Sequence, residues 1–495
     1  MRTPITTLSA ALSVLFLPVS HLHAAATDLD ASFNGSGYTA SYLDLGSSKA
    51  DILADTALSA STGAIYSAGK VEYVSAGGQT FGVLFKHMPN GSADTSFQNG
   101  SSIGRVQFPA ERTGGSSGLT GVAFIGVNTG AVAVVGFNDL NNGQRCGVAY
   151  HVLDNSVVKG ALLGNFGGSG QSRFAFCSGV GAEMTFSDVK ILPDGRWLIS
   201  GNSSYANGEK YGFLLRLTTN GQLDASFNAG GISGAPGFVN FDIRTGKDDS
   251  ALHLAVDSTG YYVAGNSVFA KASSNLGFSD DVDLWIAKVT TSGSFDTRFN
   301  TNGKRIFALD LLGSDKTDLL ADLAVDSAGK PVLLGNINPQ HVIYNQSGAI
   351  DPARFDKSRQ WLLRLNANGQ LDTSFNGNGQ VVFSQPAWSC GNADYCSHNE
   401  PAALALTPSN EIWVAGRFVP EGFFGTPIAN AKLALTRFTS SGVKTIEMQR
   451  PVGQSNVGVS LLRQSDGRLI VGQQLRTTTL QTDLDFSLMR LLGTP

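Results

Sequence analysis

Four side chains of this 495-residue sequence could perform acid–base chemistry together, because they stand at matched places in four repeated stretches of the chain. They are Asp55, Asp188, His253 and Asp322. Paired carboxylates with a histidine can exchange protons with a sugar polymer while it is cleaved. Alternatively, the acidic groups could hold a cation or a basic or sugar-like ligand. A third possibility is that each aspartate caps its own strand or faces water in a channel.

Further aspartates stand close to these positions and would add negative charge to the same region. They are Asp248, Asp249, Asp280, Asp281, Asp283, Asp315 and Asp318. The sequence has no His-Glu-x-x-His and no phosphate-binding glycine loop followed by lysine, and its seven histidines are scattered. The residues therefore favour binding over catalysis, and they predict no cofactor and no metal site.

A repeated sequence unit must position these side chains. Each unit contains a short apolar run that ends in glycine, and these glycines stand 56 to 81 residues apart, at Gly69, Gly136, Gly201, Gly265, Gly335, Gly416 and Gly472. Repeats of this period indicate an array or a propeller. Each unit reads as four short strands, a to d, separated by turns rich in Gly, Asn, Asp and Ser. We predict an all-β, seven-bladed β-propeller with four antiparallel strands per blade.

The two ends of the chain complete one blade in this prediction. The seventh unit stops after its c strand, Phe486 to Leu492, and its missing d strand stands near the start of the chain, at about Tyr38 to Tyr42. Pairing these segments closes the ring and removes the exposed sheet edges. Strand a should line the central channel, with the four candidate residues among its first positions.

The turn between strands c and d carries a specific motif. It reads Asn-Gly-x-Leu-Asp-x-Ser-Phe-Asn at Asn220 to Asn228 and at Asn368 to Asn376, with looser copies elsewhere. This motif resembles the delta-60 repeat of bacterial exported and surface proteins, and the resemblance covers nearly all of the chain after residue 26. It implies a propeller-like structure, with no particular reaction or ligand.

The recurring motif residues are expected to be structural. We expect the phenylalanines to pack between blades, at Phe33, Phe97, Phe227, Phe299 and Phe375. We expect the aspartates to accept backbone hydrogen bonds in their turns, at Asp30, Asp94, Asp224, Asp296 and Asp372. A row of calcium sites is the alternative, but each motif offers one carboxylate, whereas calcium takes about six to eight oxygens.

The start of the chain has the pattern of a signal peptide. Arg2 precedes a short apolar stretch from Leu8 to Val19, and Ala24 to Ala26 offer a small-residue cleavage site. We therefore assign residues 1–26 to a signal peptide and residues 27–495 to one propeller domain, exported to the periplasm or secreted. The formal net charge of −4 provides no basic surface for nucleic acid. No later stretch is long and apolar enough for a membrane span.

The four cysteines predict two disulfides. Cys146 opens strand c of the second unit and Cys177 closes its d strand, so antiparallel pairing should bring them together. Cys390 and Cys396 would then pin the loop from Ala387 to His398 on the face that we expect to bind a ligand. Disulfides persist in oxidising compartments, and the Cys-x-x-Cys spacing of a zinc site is absent.

Long insertions define the surface that we expect to bind a ligand. They fall at the b–c and d–a connections, which share one face of a propeller, and variable loops on a rigid scaffold commonly bind. Aromatic residues in these insertions are the candidate contacts: Tyr344, Phe355, Trp361, Trp388, Tyr395, Phe423 and Phe424. We predict a scaffold that binds an envelope protein, a surface polymer or a glycan. The alternative is a hydrolase or lyase that acts on a polysaccharide-like polymer at the acidic channel mouth.

Overall fold

The computed structural model describes residues 27–41, 43, 50–72, 78–100, 103–126, 130–177, 182–205, 208–231, 234–270, 281–309, 317–337, 359–383, 397–420, 432–450, 455–476 and 484–493. These residues form thirty strands in seven separate antiparallel sheets. The innermost strands of neighbouring sheets contact one another in turn until the last contacts the first. The predicted seven-bladed propeller is confirmed.

The blades follow one another along the chain, except that β1 (Tyr38–Ser41) belongs to the last of them. Blade 1 contains β2 (Asp51–Leu58), β3 (Ile65–Glu72), β4 (Thr80–His87) and β5 (Arg105–Phe108). Blade 2 contains β6 (Ser117–Ile125), β7 (Ala131–Asp139), β8 (Arg145–Asp154), the short β9 (Lys159–Leu162) and β10 (Phe174–Phe176). Blade 3 contains β11 (Glu183–Ile191), β12 (Trp197–Ser204), β13 (Lys210–Leu217), the two-residue β14 (Gly234–Ala235) and β15 (Phe238–Phe241).

The remaining blades have four strands each. Blade 4 contains β16 (Asp249–Asp257), β17 (Gly260–Ala270), β18 (Asp281–Thr290) and β19 (Lys304–Phe307). Blade 5 contains β20 (Asp318–Val325), β21 (Pro331–Ile337), β22 (Arg359–Arg364) and β23 (Gln380–Phe383). Blade 6 contains β24 (Ser397–Leu406), β25 (Ile412–Pro420), β26 (Lys432–Phe438) and β27 (Lys444–Arg450). Blade 7 contains β28 (Ser455–Arg463), β29 (Leu469–Arg476), β30 (Asp485–Leu491) and β1.

Blade 7 joins the two ends of the described chain. Strand β1 pairs antiparallel with β30, with Tyr38 opposite Met489 and Ser41 opposite Phe486. The Ser487 hydroxyl also donates to the Thr39 carbonyl oxygen at 2.8 Å. The predicted closure of the ring by the N-terminal strand is confirmed.

A disulfide joins Cys146 and Cys177 in blade 2, with Cα atoms 4.6 Å apart. Strands β8 and β10 pair with Gly147 opposite Phe176, so the two cysteines are the next residues out along the ladder. This predicted bridge is confirmed. Cys390 and Cys396 lie outside the described residues, so their pairing stays a prediction.

The hydrophobic core is divided into layers between neighbouring blades. The five motif phenylalanines are fully buried, and each contributes to a cluster shared with the next blade. Phe33 of blade 7, for example, packs with Ile65 of blade 1. Burial of one such ring contributes roughly 1.5–3 kcal/mol. The prediction that these rings pack between blades is confirmed.

The motif aspartates are paired with basic residues on strand c. Distances from the basic nitrogen to the carboxylate are 2.7–2.8 Å in the pairs Arg490–Asp30, Lys86–Asp94, Arg216–Asp224 and Arg364–Asp372. Each of these aspartates also accepts the backbone N–H two residues further on, as predicted. In blade 4 the carboxylate of Asp296 pairs instead with Arg298, at 2.9 Å.

The same arginines reach the next blade. Arg364 stacks over the Phe375 ring with its guanidinium carbon 4.7 Å from the ring centre, and it donates to the Ser440 carbonyl of blade 6. Arg216 does the same with Phe227 and the Thr291 carbonyl of blade 4. In blades 3 and 5 the motif is therefore a clamp that joins two blades.

The repeat glycines are required by close approach. A Cβ atom at Gly335 would collide with the Leu319 carbonyl oxygen of strand a and with the Trp361 indole of strand c. Equivalent strand-a carbonyls press on the glycines in blades 1, 2, 3, 4 and 6. Trp361 is fully buried in this packing, so the prediction that it is an exposed ligand contact is wrong. Its ring occupies the space that the absent side chain of Gly335 leaves.

Candidate functional site

A β-bulge interrupts the innermost strand of every blade at the same level. The pairing register shifts just before the residues Asp55, Gly121, Asp188, His253, Asp322, Ala403 and Ser460. We call these seven the ring residues. The four residues predicted to carry chemistry are all among them, so the structure places them at one level of the channel wall.

The four candidate residues lie inside their strands, whereas the sequence predicted them at the strand starts. Each is the fifth or sixth residue of its strand. Asp51, Asp249 and Asp318 stand at or near the strand starts instead, and they are buried. Their carboxylates accept backbone N–H groups of the incoming connection, from Leu43, Ile243 and Leu309 at 2.6–2.7 Å. The expected position was wrong because the strands begin four or five residues earlier than the sequence pattern indicated.

Each ring aspartate joins two blades through its two carboxylate oxygens. One oxygen accepts the backbone N–H of the next residue in its own strand, at 2.7 Å in all three cases. The other oxygen accepts a backbone N–H in the following blade: Asp55 binds Val122 at 3.0 Å, Asp188 binds Leu254 at 2.9 Å and Asp322 binds Leu404 at 2.7 Å. We call this arrangement the carboxylate clasp.

The carboxylate clasps occur at every second blade, because blades 1, 3 and 5 supply the aspartates. Ser460 of blade 7 closes the pattern, and its hydroxyl lies 2.7 Å from that of Thr56 in blade 1. Thr120 of blade 2 donates its hydroxyl to the Phe186 carbonyl of blade 3 at 2.6 Å. His253 of blade 4 approaches Asp322 of blade 5, with Nδ1 3.6 Å from the carboxylate. The candidate residues are therefore part of the contacts that hold neighbouring blades together.

Lys190 is a member of this cluster that the sequence analysis missed. Its Nζ lies 2.8 and 3.0 Å from the two carboxylate oxygens of Asp188. The available signal was its position two residues after Asp188, which places both side chains on the same face of β11. The lysine side chain remains 43 % exposed, so it faces the open channel rather than the blade core.

The charges of the cluster are strongly coupled. Burial, together with the nearby Asp188 carboxylate, raises the pKa of Asp55 to about 7. Burial also raises the pKa of Asp322. The pKa of Lys190 is raised because the carboxylates of Asp188 and Asp55 outweigh the opposing effect of burial. At neutral pH the channel therefore holds a lysine cation among carboxyl groups, one of which is partly protonated.

This arrangement limits what the carboxylates can do chemically. Glycoside hydrolysis requires two carboxyl groups that face the same sugar bond. Here both oxygens of each ring aspartate already accept backbone hydrogen bonds, which fixes the side chain against the wall. Within the described ranges, no three His, Cys, Asp or Glu side chains are grouped to hold a metal ion.

The sequence also contains a Gly-x-Ser-x-Gly motif that sequence reasoning missed. Residues Gly114 to Gly118 have the spacing Gly-x-Ser-x-Gly of a nucleophile elbow, which requires a turn from a strand into a helix. This run instead leads into strand β6, and the Ser116 hydroxyl accepts the Thr80 backbone N–H at 3.2 Å. The context of an elbow is therefore missing.

The connections that vary most in length share one face of the ring, whereas most of the c–d connections on the other face carry the repeated motif. Antiparallel order puts the ends of strands b and d and the starts of strands a and c at the first of these faces, which we call the insertion face. Its longest connections span residues 271–280, 338–358, 384–396 and 421–431, in blades 4 to 6. On the other face, the a–b turn of blade 4 has only residues 258–259.

The predicted aromatic contacts of these insertions cannot be placed. Tyr344, Phe355, Trp388, Tyr395, Phe423 and Phe424 lie outside the described residues, as do Asp280 and Asp315. Asp283 is described and buried, and it forms an ion pair with Arg244. No helix in the described part of the chain has the length and apolar character needed to cross a membrane.

Residues 192–227 and 357–375 match the family described as a domain of unknown function, DUF5122, β-propeller. Each matched segment contains all but the last residue of a c–d motif, so the match agrees with a propeller repeat family. The delta-60 assignment itself stays a prediction. No curated protein sequence matches the chain.

The solved structures similar to this chain include two polysaccharide lyases. The polysaccharide lyase Uly1 has a TM-score of 0.50 and 11 % sequence identity, over 91 % of this chain and 93 % of that protein. An ulvan lyase described as a new family of polysaccharide lyase has a TM-score of 0.45 and 11 % identity, over 87 % of this chain and 90 % of that one. At this identity, the likeness to Uly1 shows a common propeller fold alone.

Proposed function

We propose that this protein is an exported, non-catalytic propeller that binds a glycan or another surface polymer through its insertion face. The observation that carries the proposal is the carboxylate clasp. The acidic side chains that would have to perform catalysis already accept backbone hydrogen bonds from two neighbouring blades. Their role as blade connectors explains their recurrence without any reaction.

The distribution of loop length supports the same proposal. The short a–b turns and the repeated c–d motif keep one face regular, whereas blades 4 to 6 place connections without a repeated motif on the other. Interaction surfaces commonly combine such variable segments with a rigid scaffold. Export agrees with the Cys146–Cys177 disulfide, because such bonds persist in oxidising compartments.

The proposal is tested with the mature protein on soluble polysaccharides in affinity electrophoresis, together with envelope fractions. We expect retardation of the protein by at least one polymer and no release of new sugar ends. A variant in which residues 338–358 are replaced by a short Gly-Ser linker should bind more weakly and remain folded. Absence of binding to every polymer and envelope fraction would overturn the proposal.

A second candidate function is cleavage of a polysaccharide-like polymer at the channel. The specific observation in its favour is the pKa of Asp55, about 7, next to the exposed Lys190. A carboxyl group with that pKa is suited to proton transfer near neutral pH. Polymer cleavage that disappears in both Asp55→Asn and Lys190→Met variants of unchanged stability would favour this candidate.

A further inference from the structure

Two exposed aromatic side chains occupy the same repeat position in neighbouring blades. Tyr205 of blade 3 and Phe269 of blade 4 each stand four residues after their repeat glycine, Gly201 and Gly265. Both come at the end of strand b, and hence at the insertion face. Tyr205 is 39 % exposed and Phe269 is 53 % exposed, although large apolar rings are usually buried.

Polar contacts hold the Phe269 ring in place from beneath. The Arg244 guanidinium carbon lies 4.9 Å from the centre of the ring. Arg244 is itself fixed by an ion pair with the buried Asp283 and by donation to the Ser267 carbonyl at 3.4 Å. The ring therefore keeps one face against the arginine, and its exposed surface is turned outward.

Neighbouring side chains also hold the Tyr205 ring in place. Tyr205 packs edge-on against Tyr211, with ring centres 5.5 Å apart and planes at 79°. The Tyr211 hydroxyl donates to Glu209 at 2.6 Å. An ordered aromatic side chain binds a ligand with little further loss of conformational entropy.

The two blades share one surface at this point. The backbone N–H of Lys210, next to Tyr211, donates to the Asp248 carboxylate at 3.3 Å. Asp248 lies in the connection between β15 and β16, which also carries Arg244 beneath Phe269. We call the surface formed by Tyr205, Tyr211 and Phe269 the aromatic platform.

The charges around the platform favour an uncharged ligand. The contacts described above place the acidic groups of Glu209, Asp248 and Asp283 and the basic group of Arg244 at the platform. Arg244 is already paired with Asp283, so it does not offer an unpaired guanidinium to a polyanion. Carboxylates at the edge can accept hydrogen bonds from sugar hydroxyls.

We propose that the aromatic platform stacks the apolar faces of an uncharged glycan, while Glu209 and Asp248 accept hydrogen bonds from its hydroxyl groups. This inference rests on the proposed function and names its ligand class and its contact residues. Aromatic side chains with a polar edge are suited to such a ligand, because a sugar presents apolar C–H faces and polar rims.

The test uses the mature protein and affinity electrophoresis with xyloglucan, mixed-linkage β-glucan and galactomannan as uncharged probes. Alginate and polygalacturonate serve as anionic probes. We expect retardation by at least one uncharged polymer, and about tenfold or greater weakening in the double variant Tyr205→Ala/Phe269→Ala. Phe269→Trp should retain binding, because it keeps an aromatic face. Val443→Ala is the matched control, since Val443 is 58 % exposed on a c–d turn of the opposite face.

The outcomes distinguish failure of the platform from failure of the proposed function. Binding to an uncharged polymer that the double variant retains in full overturns the platform but leaves the proposed function standing. Binding to anionic polymers alone has the same consequence. Absence of binding to any polymer or envelope fraction overturns both. Equal thermal unfolding of the wild type and the double variant excludes loss of folding as the cause of weaker binding.

Discussion

Asp322 of blade 5 accepts a hydrogen bond from the backbone N–H of Leu404 in blade 6, at 2.7 Å. Its second oxygen accepts the N–H of Leu323 in its own strand, also at 2.7 Å. A residue that sequence pattern nominates for acid–base catalysis therefore spans the boundary between two blades. Its partners are backbone groups, so its effect on stability can be separated from any effect on binding.

The first prediction concerns this clasp. Asp322→Ala leaves the Leu404 N–H without its carboxylate acceptor, so we expect the unfolding free energy to fall by about 1–3 kcal/mol. Polymer binding at the insertion face should be unchanged. Urea titration and affinity electrophoresis measure the two effects. Asp194→Ala is the control, because the Asp194 side chain is 49 % exposed and bonds only within its own turn. A larger loss in the control would contradict the clasp.

The second prediction concerns the pH dependence that Asp55 adds. The pKa of Asp55 is about 7 in the folded protein, whereas the ordinary value of an aspartate, which applies to the unfolded chain, is 3.8. At a pH between these two values the folded chain keeps a proton that the unfolded chain releases. Folding stability from this group therefore decreases as the pH rises from about 4 to 7. The unfolding free energy of the wild type minus that of Asp55→Asn should therefore decrease from pH 5 to pH 8. Denaturant titrations at both pH values measure it, and an unchanged difference would contradict the raised pKa.

The third prediction compares two arginines that pair with equivalent motif aspartates. Arg364 is buried between Asp372, the Phe375 ring and the Ser440 carbonyl. Asp372 keeps Lys330 as a second partner at 2.8 Å, so Arg364→Ala should destabilise the protein by about 1–3 kcal/mol. Arg298 pairs with Asp296, but its side chain is 77 % exposed, so Arg298→Ala should leave the denaturation midpoint unchanged. Similar midpoints for both variants would show that the clamp contributes little.

The fourth prediction concerns ring closure. Removal of residues 1–41 takes away β1, the buried Phe33 and the Asp30–Arg490 ion pair, so the protein should lose its cooperative unfolding transition. Removal of residues 1–26 alone should retain it. Circular dichroism and limited proteolysis report the outcome. A synthetic peptide of residues 27–43 should restore protease resistance to the shorter chain by strand addition, and stable folding without it would contradict the closure.

The fifth prediction concerns the repeat glycine of blade 5. Gly335→Ala forces a methyl group against the Leu319 carbonyl and the Trp361 indole, so we expect a loss of at least about 1–3 kcal/mol. Gly164→Ala is the matched control, because no atom lies within 4 Å of its added Cβ. Its effect should stay within about 0.5 kcal/mol. Thermal unfolding of the two variants provides the comparison.

The repeat made the architecture predictable from the sequence. Glycines such as Gly335 recur because strand a presses a carbonyl against the same point of each blade, and this constraint is local. The pairing of Tyr38 with Met489 followed from the missing d strand of the last unit. The Cys146–Cys177 bridge followed from the order of two neighbouring strands.

The basic partners of the motif were missed, although a signal was available. Lys86, Arg216 and Arg364 each stand eight residues before the motif aspartate that they bind. A single turn does not show this spacing, because the partner lies on the preceding strand. Considered across three repeats, it would have indicated an ion pair rather than backbone contacts alone.

The exact setting of the channel could not be predicted. One extra residue before Asp188 shifts the alternation of its strand, and no residue type marks that bulge. The contact from Asp188 to Leu254 also depends on how closely two blades approach, which local sequence does not encode. Lys190, by contrast, could have been assigned to the same face as Asp188 from its position two residues later.

The shared blade also orders events in time. As synthesis proceeds from the N-terminus, β1 is made before the other described strands, whereas its partner β30 is made after them. The strands of six other sheets lie between them in sequence, so β1 and β30 can pair only after all six have been synthesised. Contacts so distant in sequence make folding slow, so a truncated chain would expose the unpaired edge of its final sheet.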